Sequence, residues 1–200
     1  MALEIEQKFL EPDMDLLRER LVRGGATFCS QGFEDNFIFD TPDKLLRSQN
    51  ILLRLRHAGE TVLTLKKKPE SLPADDSRYK ILEEVETVVG DMAALRKILE
   101  HLGYGVAFRY QKFRATWQWE SCIICLDTLP FTQVVELEGT PESIQRTAQR
   151  FGLDNLQSST LNYLQLYRTH QQSLGLSVED RFLFTKTQRD ALMEARMESR

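Results

Sequence analysis

Cysteine is scarce. Cys29, Cys122 and Cys125 are the only three in 200 residues, too few and too unevenly spaced for a disulfide framework. Long apolar runs are missing too, and stretches such as Cys122 to Leu126 fall far short of the roughly 20 residues that cross a bilayer. The first ten residues carry Glu4, Glu6 and Lys8 where a secretory leader needs an apolar stretch. Basic charge is not in excess: 26 Lys and Arg stand against 30 Asp and Glu, a net charge of −4, which argues against a general nucleic-acid binder. These absences set the expectation of a soluble, reduced, cytoplasmic protein with neither a nucleic-acid nor a membrane partner. What is present is an ordinary globular composition, 42% hydrophobic and 28% charged, in a chain long enough to bury a full core.

The chain reads as strands and helices in alternation. Leu3 to Phe9 alternates apolar with polar, Glu11-Pro12 breaks the strand, and Asp13 caps a helix that Gly24-Gly25 ends. Strands are expected at Phe33 to Asp40, Ile51 to Arg56 and Thr61 to Lys68, the last two as a hairpin around Ala58-Gly59-Glu60. Thr41-Pro42-Asp43 reads as a turn and Ser71 to Ser77 as a mobile loop. Lys80 to Val88 begins a second unit that echoes the first: a strand with paired glutamates, then a helix capped by Asp91 and closed by Gly103. Further strands follow at Phe108 to Trp119, Ser121 to Asp127 and Gln133 to Glu138. Helices are expected after Thr140-Pro141-Glu142 and from Ser159 to about Gln171, with a polar helical tail from Ser177.

Charged residues recur at i and i+2 within these apolar strands, so each pair shares a face. The set comprises Glu4, Glu6 and Lys8; Arg54 and Arg56; Thr64, Lys66 and Lys68; Glu84 and Glu86; Lys112 and Arg114; and Glu136 and Glu138. Two readings stay open on pattern alone. One is the solvated face of an open antiparallel sheet. The other is the lumen of a closed barrel with the apolar face turned outward under helices. Sorting by sign, with acidic strands toward both ends of the chain and basic strands between, distinguishes this face from an ordinary scattered surface. With Asp127 added and Lys68 left out, six basic and seven acidic side chains leave the set one charge negative. Burying so many ions needs compensation. A polyanion on the cations and hard divalent ions on the carboxylates would supply it, and oxygen-only ligands favour Mg²⁺ or Mn²⁺ over zinc.

Glu4-Ile5-Glu6-Gln7-Lys8 resembles the ExExK signature of the CYTH domain family, the triphosphate tunnel metalloenzymes. Leu53-Arg54-Leu55-Arg56, Leu63-Thr64-Leu65-Lys66, Glu84-Val85-Glu86, Tyr110-Gln111-Lys112-Phe113-Arg114, Leu126-Asp127 and Glu136-Leu137-Glu138 continue it in family order, with a family-like helical end at Asn162-Tyr163-Leu164. The resemblance implies an α+β fold in which an antiparallel eight-stranded β tunnel, a closed barrel with a charged lumen, is packed by outer helices. It places a tunnel domain at residues 1–175 and a helical tail at 176–200. It implies metal ligation by Glu4, Glu6, Asp127, Glu136 and Glu138, with two Mg²⁺ or Mn²⁺ ions. Lys8, Arg54, Arg56, Lys66, Lys112 and Arg114 would bind phosphate oxygens, and Lys8, Glu84 and Glu86 would be catalytic. Hydrolysis of tripolyphosphate, ATP or thiamine triphosphate is the implied activity. Alternatives are a class IV adenylate cyclase making cyclic AMP and pyrophosphate, and a non-catalytic polyphosphate- or nucleotide-binding module. The implied assembly is a monomer or homodimer.

Three positions depart from the family pattern. Leu82 stands where Arg is frequent, with Lys80 on the same face as a substitute; Lys68 competes with Lys66; and a glycine is missing at Phe131-Thr132-Gln133. Phe37, Phe39, Tyr79 and Tyr110 are candidates to stack on a base, each with a structural role as the plainer reading. Cys122-Ile123-Ile124-Cys125 has CxxC spacing, but on a strand its thiols face opposite sides. His57, His101 and His170 have no nucleophile beside them, and three consecutive lysines at 66–68 make a weak nucleic-acid signal.

Overall fold

The computed structural model describes residues 2–70, 78–177 and 179–198; the loop expected at Ser71 to Ser77 lies outside the described residues. Eight long segments of alternating side chains are strands: β1 (Ala2–Leu10), β2 (Thr27–Asp40), β3 (Leu52–Ala58), β4 (Glu60–Lys67), β5 (Lys80–Val88), β6 (Gly105–Trp119), β7 (Cys122–Thr128) and β8 (Gln133–Glu138). They pair antiparallel in the order β6-β2-β3-β4-β5-β1-β8-β7, and β7 pairs back onto β6. The result is a ring of eight strands, a tunnel-like sheet with helices outside it. The α+β tunnel architecture that the family resemblance implied is therefore present.

Closure is completed by two short strands. β1 pairs with β5 along Ala2–Glu6, and β9 (Ser158–Ser159) takes over that flank at Lys8–Phe9. β6 pairs with β7 from Phe113 onward, while β10 (Arg181–Phe182) lies parallel to it at Arg109–Tyr110. Both pieces pair backbone groups of a neighbouring strand that the main partner leaves free.

The outer apolar face is covered in two places. Helices α1 (Met14–Arg23) and α4 (Pro141–Phe151) bring Leu17, Leu21, Ile144, Ala148 and Phe151 onto Phe9, Leu126, Val135 and Leu137. Helix α3 (Met92–His101) sets Leu99 against Phe37, Phe39 and Leu55. Each such buried side chain contributes roughly 1.5–3 kcal/mol of transfer free energy. The helix starts are those the sequence signals. Asp13, Asp91 and Thr140 accept hydrogen bonds from the backbone N–H of Leu16, Ala94 and Ser143, with Pro141 opening α4. Gly152, at φ +71°, ends α4 in the left-handed conformation.

A third cluster sits at one end of the tunnel. Alternation puts Leu10 on the same face as Lys8, Val134 with Glu136, and Phe108 and Tyr110 with Lys112. These apolar positions pack against Tyr163, Leu166 and Tyr167 of helix α5 (Tyr163–Ser173) and against Phe182 of β10. Helix and strand together stopper the lumen with aromatic side chains.

Some elements differ from expectation. β2 begins at Thr27, six residues early, because its partner β6 extends far enough to pair with Ser30-Gln31-Gly32. A four-residue helix, α2 (Leu45–Ser48), follows the turn at Thr41-Pro42, held by Asp40, whose carboxylate accepts from the N–H of Thr41, Leu46 and Arg47. The segment from Ser177 is not helical throughout: it gives β10, whose Phe182 is buried in the stopper, before α6 starts at Lys186. Among the described residues no helix is long and apolar enough to cross a membrane.

Candidate functional site

The charged strand face lines the lumen, and most of its ion pairs cross from strand to strand. Lys8 Nζ lies 2.5 Å from Glu6 Oε1 and 2.8 Å from Glu136 Oε1, and Lys80 Nζ reaches the same Glu6 oxygen at 2.7 Å. Arg114 grips Asp127 with two prongs, Nε at 2.7 Å and Nη2 at 2.6 Å, and also pairs with Glu136. Lys112 Nζ is 3.2 Å from Asp127. Toward the more exposed end, Lys66 Nζ sits 2.5 Å from Glu4 and 3.1 Å from Glu84. Arg54 and Arg56 lie 3.6 and 3.9 Å from Glu86, which also accepts a hydrogen bond from the Thr64 hydroxyl. Every residue singled out for metal, phosphate or catalysis thus faces this one space.

Exposure grades along the lumen. The Lys8, Lys112 and Asp127 side chains are 2% exposed or less, whereas Glu86 reaches 38%. The floor is Tyr163 of α5. Its hydroxyl donates to Asp127, and its ring lies 5.5 Å from Lys8 Nζ and 5.1 Å from Lys112 Nζ. Burial lifts the Tyr163 hydroxyl well above the ordinary phenol range, and the Asp127 charge lifts it further, so it stays a donor.

Burial alone would raise the Glu6 carboxyl, but Lys8 and Lys80 overcome it and hold the group at about 2. Glu136 is held well below the carboxylate range by Lys8, Arg114 and Lys112, again against its burial. Glu138 is the opposite case. Burial, then the charges of Glu136, Glu4 and Glu6, push it up to about 7 despite Arg114. Lys80 is lowered by burial and by Lys8, and Glu84 is raised chiefly by burial.

Glu4, Glu6 and Glu138 offer carboxylate oxygens that all lie within 4.8 Å of one another. Three hard oxygen donors this close, with Glu138 held up for want of compensating charge, fit a divalent cation of the Mg²⁺ or Mn²⁺ type. Asp127 and Glu136, expected in the same role, stand nearer the stopper and pair with Lys8, Lys112 and Arg114, as Glu4 and Glu6 pair with Lys66, Lys8 and Lys80.

A profile of the CYTH domain matches residues 2–158, well over half of the chain. The chain belongs to the CYTH domain family. Solved structures of CYTH shape agree at the level of fold. The PH1012 protein of Pyrococcus horikoshii superposes with a TM-score of 0.68 at 22% identity, covering 82% of this chain and 98% of that one. A candidate adenylate cyclase of Vibrio parahaemolyticus gives 0.67 at 20% identity, covering 82% and 97%. A Hippeastrum protein assigned as an adenylyl cyclase, with a dominant triphosphatase activity, gives 0.63 at 21% identity, covering 84% and 96%. No curated protein matches by sequence.

Lys66 is buried and ion-paired, whereas Lys68 is exposed beyond the end of β4. Leu82 is buried opposite Glu4, and Lys80 supplies a cation from two residues away. Phe37 and Phe39 pack under α3, Tyr79 belongs to the α1–α4 core, and Tyr110 to the stopper. Cys122 points into the outer core while Cys125, on the other face, sits across from Glu136. Glu34 and Asn36 of β2, both buried, are among the lumen residues not anticipated. Their segment, Glu34-Asp35-Asn36, is polar on both faces, since Asp35 points outward to Arg109 at 2.6 Å. A charge alternation therefore never stood out there.

Proposed function

We propose that this CYTH protein is a divalent-metal-dependent triphosphatase that hydrolyses the phosphoanhydride of tripolyphosphate or an organic triphosphate. The observation that carries the reading is the joint enclosure of six clamp cations and a three-carboxylate cluster in one stoppered lumen. Lys8, Arg54, Arg56, Lys66, Lys112 and Arg114 bind the phosphate oxygens, the arginines through their planar forks. Asp127, Glu136, Glu84 and Glu86 hold these cations in position before substrate arrives, so little reorganisation is needed at reaction. Glu4, Glu6 and Glu138 would hold the metal, which supplies neutralisation of phosphate charge and a lowered pKa for water. Lys8, at the deep end between Glu6 and Glu136, neutralises charge on the phosphoryl group under attack. Water oxygen bonds to the terminal phosphorus and gives up a proton to solvent, the bridging P–O bond breaks with its electron pair on the departing oxygen, and orthophosphate and a diphosphate result.

Hydrolysis is preferred to cyclisation because the aromatic side chains suited to stack on a base are committed to cores or to the stopper. The test is a substrate panel of tripolyphosphate, ATP and thiamine triphosphate with Mg²⁺ or Mn²⁺. Phosphate release is expected, and E6Q and R56A should each abolish it in folded protein. Cyclic AMP and pyrophosphate from ATP, seen by mass spectrometry, would replace this reading with the cyclase. Tight triphosphate binding without turnover would replace it with a binding module.

A further inference from the structure

Unclaimed polar atoms gather on one wall of the lumen. Among the described residues, seven buried side-chain nitrogen and oxygen atoms have no hydrogen-bond partner. Four of them belong to neighbouring lumen positions of β2 and β3: Glu34 Oε2, both amide atoms of Asn36, and Arg54 Nε. Asn36 is 0% exposed and lies between Tyr110 of β6 and Arg56 of β3 in the strand registers. Buried polar atoms are almost always bonded, so a group of four marks a place where a ligand completes the bonding.

The chemistry of these atoms selects the ligand. Glu34 is a counter-ion, 3.5 Å from Lys112 Nζ. It stays ionised: burial works to raise its pKa, but Lys112, Arg114, Arg56 and Arg54 hold it at about 2. An ionised carboxylate only accepts hydrogen bonds, and the Asn36 amide offers an acceptor beside a donor. A phosphate oxygen satisfies neither Glu34 Oε2 nor Asn36 Oδ1, because it too is an acceptor. A metal ion is repelled by the four cations around Glu34. What fits is a small neutral O–H group that donates to the two oxygens, and the proposed hydrolysis has one as its co-substrate, water.

The place is also the one that in-line displacement requires. With the far end of the lumen stoppered, a triphosphate enters end-first, and its leaving diphosphate lies toward the mouth. The nucleophile then stands on the stopper side of the terminal phosphorus. Glu34 is at that depth, opposite Lys112, whose ammonium lies over the Tyr163 floor as that of Lys8 does. The other polar groups at this level are engaged: Lys8 by Glu6 and Glu136, and Asp127 by Arg114, Lys112 and Tyr163. We infer that Asn36 and Glu34 hold the attacking water, each oxygen accepting one of its O–H bonds so that a lone pair faces the phosphorus. The water oxygen bonds to phosphorus, its proton passes to solvent, and the bridging P–O bond breaks with its electron pair on the diphosphate. The inference rests on the triphosphatase reading of the site.

The test is N36L in the whole protein, because Asn36 is uncharged and its loss leaves the charge of the clamp intact. Three quantities are compared with wild type: Tm, the affinity for tripolyphosphate by calorimetry in EDTA, and kcat for phosphate release with Mg²⁺. The Tm should be equal or higher, since an apolar side chain replaces a buried amide that no protein group satisfies. Affinity should stay within about twofold, while kcat should fall about a hundredfold, the scale of a misplaced reactant. N36A carries the same expectations for affinity and kcat if the leucine variant fails to fold. An unchanged kcat overturns the inference. So does a loss of affinity, which would make Asn36 a phosphate ligand, and so does a lowered Tm in N36L, which would make it a structural residue. A wild-type protein that binds tripolyphosphate and releases no phosphate would instead sink the triphosphatase reading itself.

Discussion

Replacing Lys8 by Met tests how the lumen tolerates its own charge. Methionine keeps the length of the side chain and removes the ammonium that sits between Glu6 and Glu136. Breaking a buried ion pair by deleting one partner costs about 3–5 kcal/mol, because the remaining charge stays buried. Linkage gives a similar figure. Glu6 is lowered from 4.5 to about 2, with Lys8 the largest stabilising cause, and this depression is worth about 3 kcal/mol. A depressed carboxyl contributes stability that is present above its unfolded value of 4.5 and lost as pH falls through about 2. In K8M that contribution largely disappears, so the deficit against wild type is full at pH 7 and closes as the pH drops below 4.5. For a domain of this size the deficit corresponds to a fall in Tm of about 10 °C at pH 7. The assay is thermal unfolding of both proteins in EDTA from pH 3 to pH 8. A K8M Tm within about 2 °C of wild type at pH 7, or a deficit that does not shrink toward pH 3, would refute the reasoning.

Other outcomes follow from the same electrostatics and from the stopper. Glu138 is raised to about 7, so it costs the folded protein stability as pH rises from 4.5 through that value. E138Q should therefore be more stable than wild type at pH 8 in EDTA, and added Mg²⁺ should raise the wild-type Tm more than that of the variant. F182A should lose about 3–5 kcal/mol in urea unfolding, because Phe182 is buried among Phe108, Tyr110, Phe131 and Tyr167. A loss below 1 kcal/mol would show that the segment after Ser177 is not part of the core.

Period-two charge made most of the site legible before the structure. In β1, β3, β5 and β8 charged residues recur at i and i+2 with mostly apolar residues between them, so most of the face and its membership followed together. The sign of the pattern said nothing about partners. Glu4, Glu6 and Glu138 converge as a cluster while Asp127 and Glu136 stand nearer the stopper, although Glu4 and Glu6 are paired with cations just as closely. Glu34 escaped because Asp35 beside it is equally polar, and its outward pairing with Arg109 lies 74 residues away in sequence. Tyr163 is visible only as a helix residue. Nothing near it in the chain signals a hydroxyl that reaches Asp127. β10 is two residues long and pairs in parallel, with no local pattern to announce it.

The aromatic stopper also fixes the order of traffic. A lumen sealed by Tyr163, Tyr110 and Phe108 at its deep end is a cul-de-sac, so entry and departure share one mouth. On the triphosphatase proposal, a long polyphosphate would present only its terminus and could not be drawn through, so removal would be stepwise from the chain end. The fragment formed deepest would then wait for the piece nearer the mouth to clear.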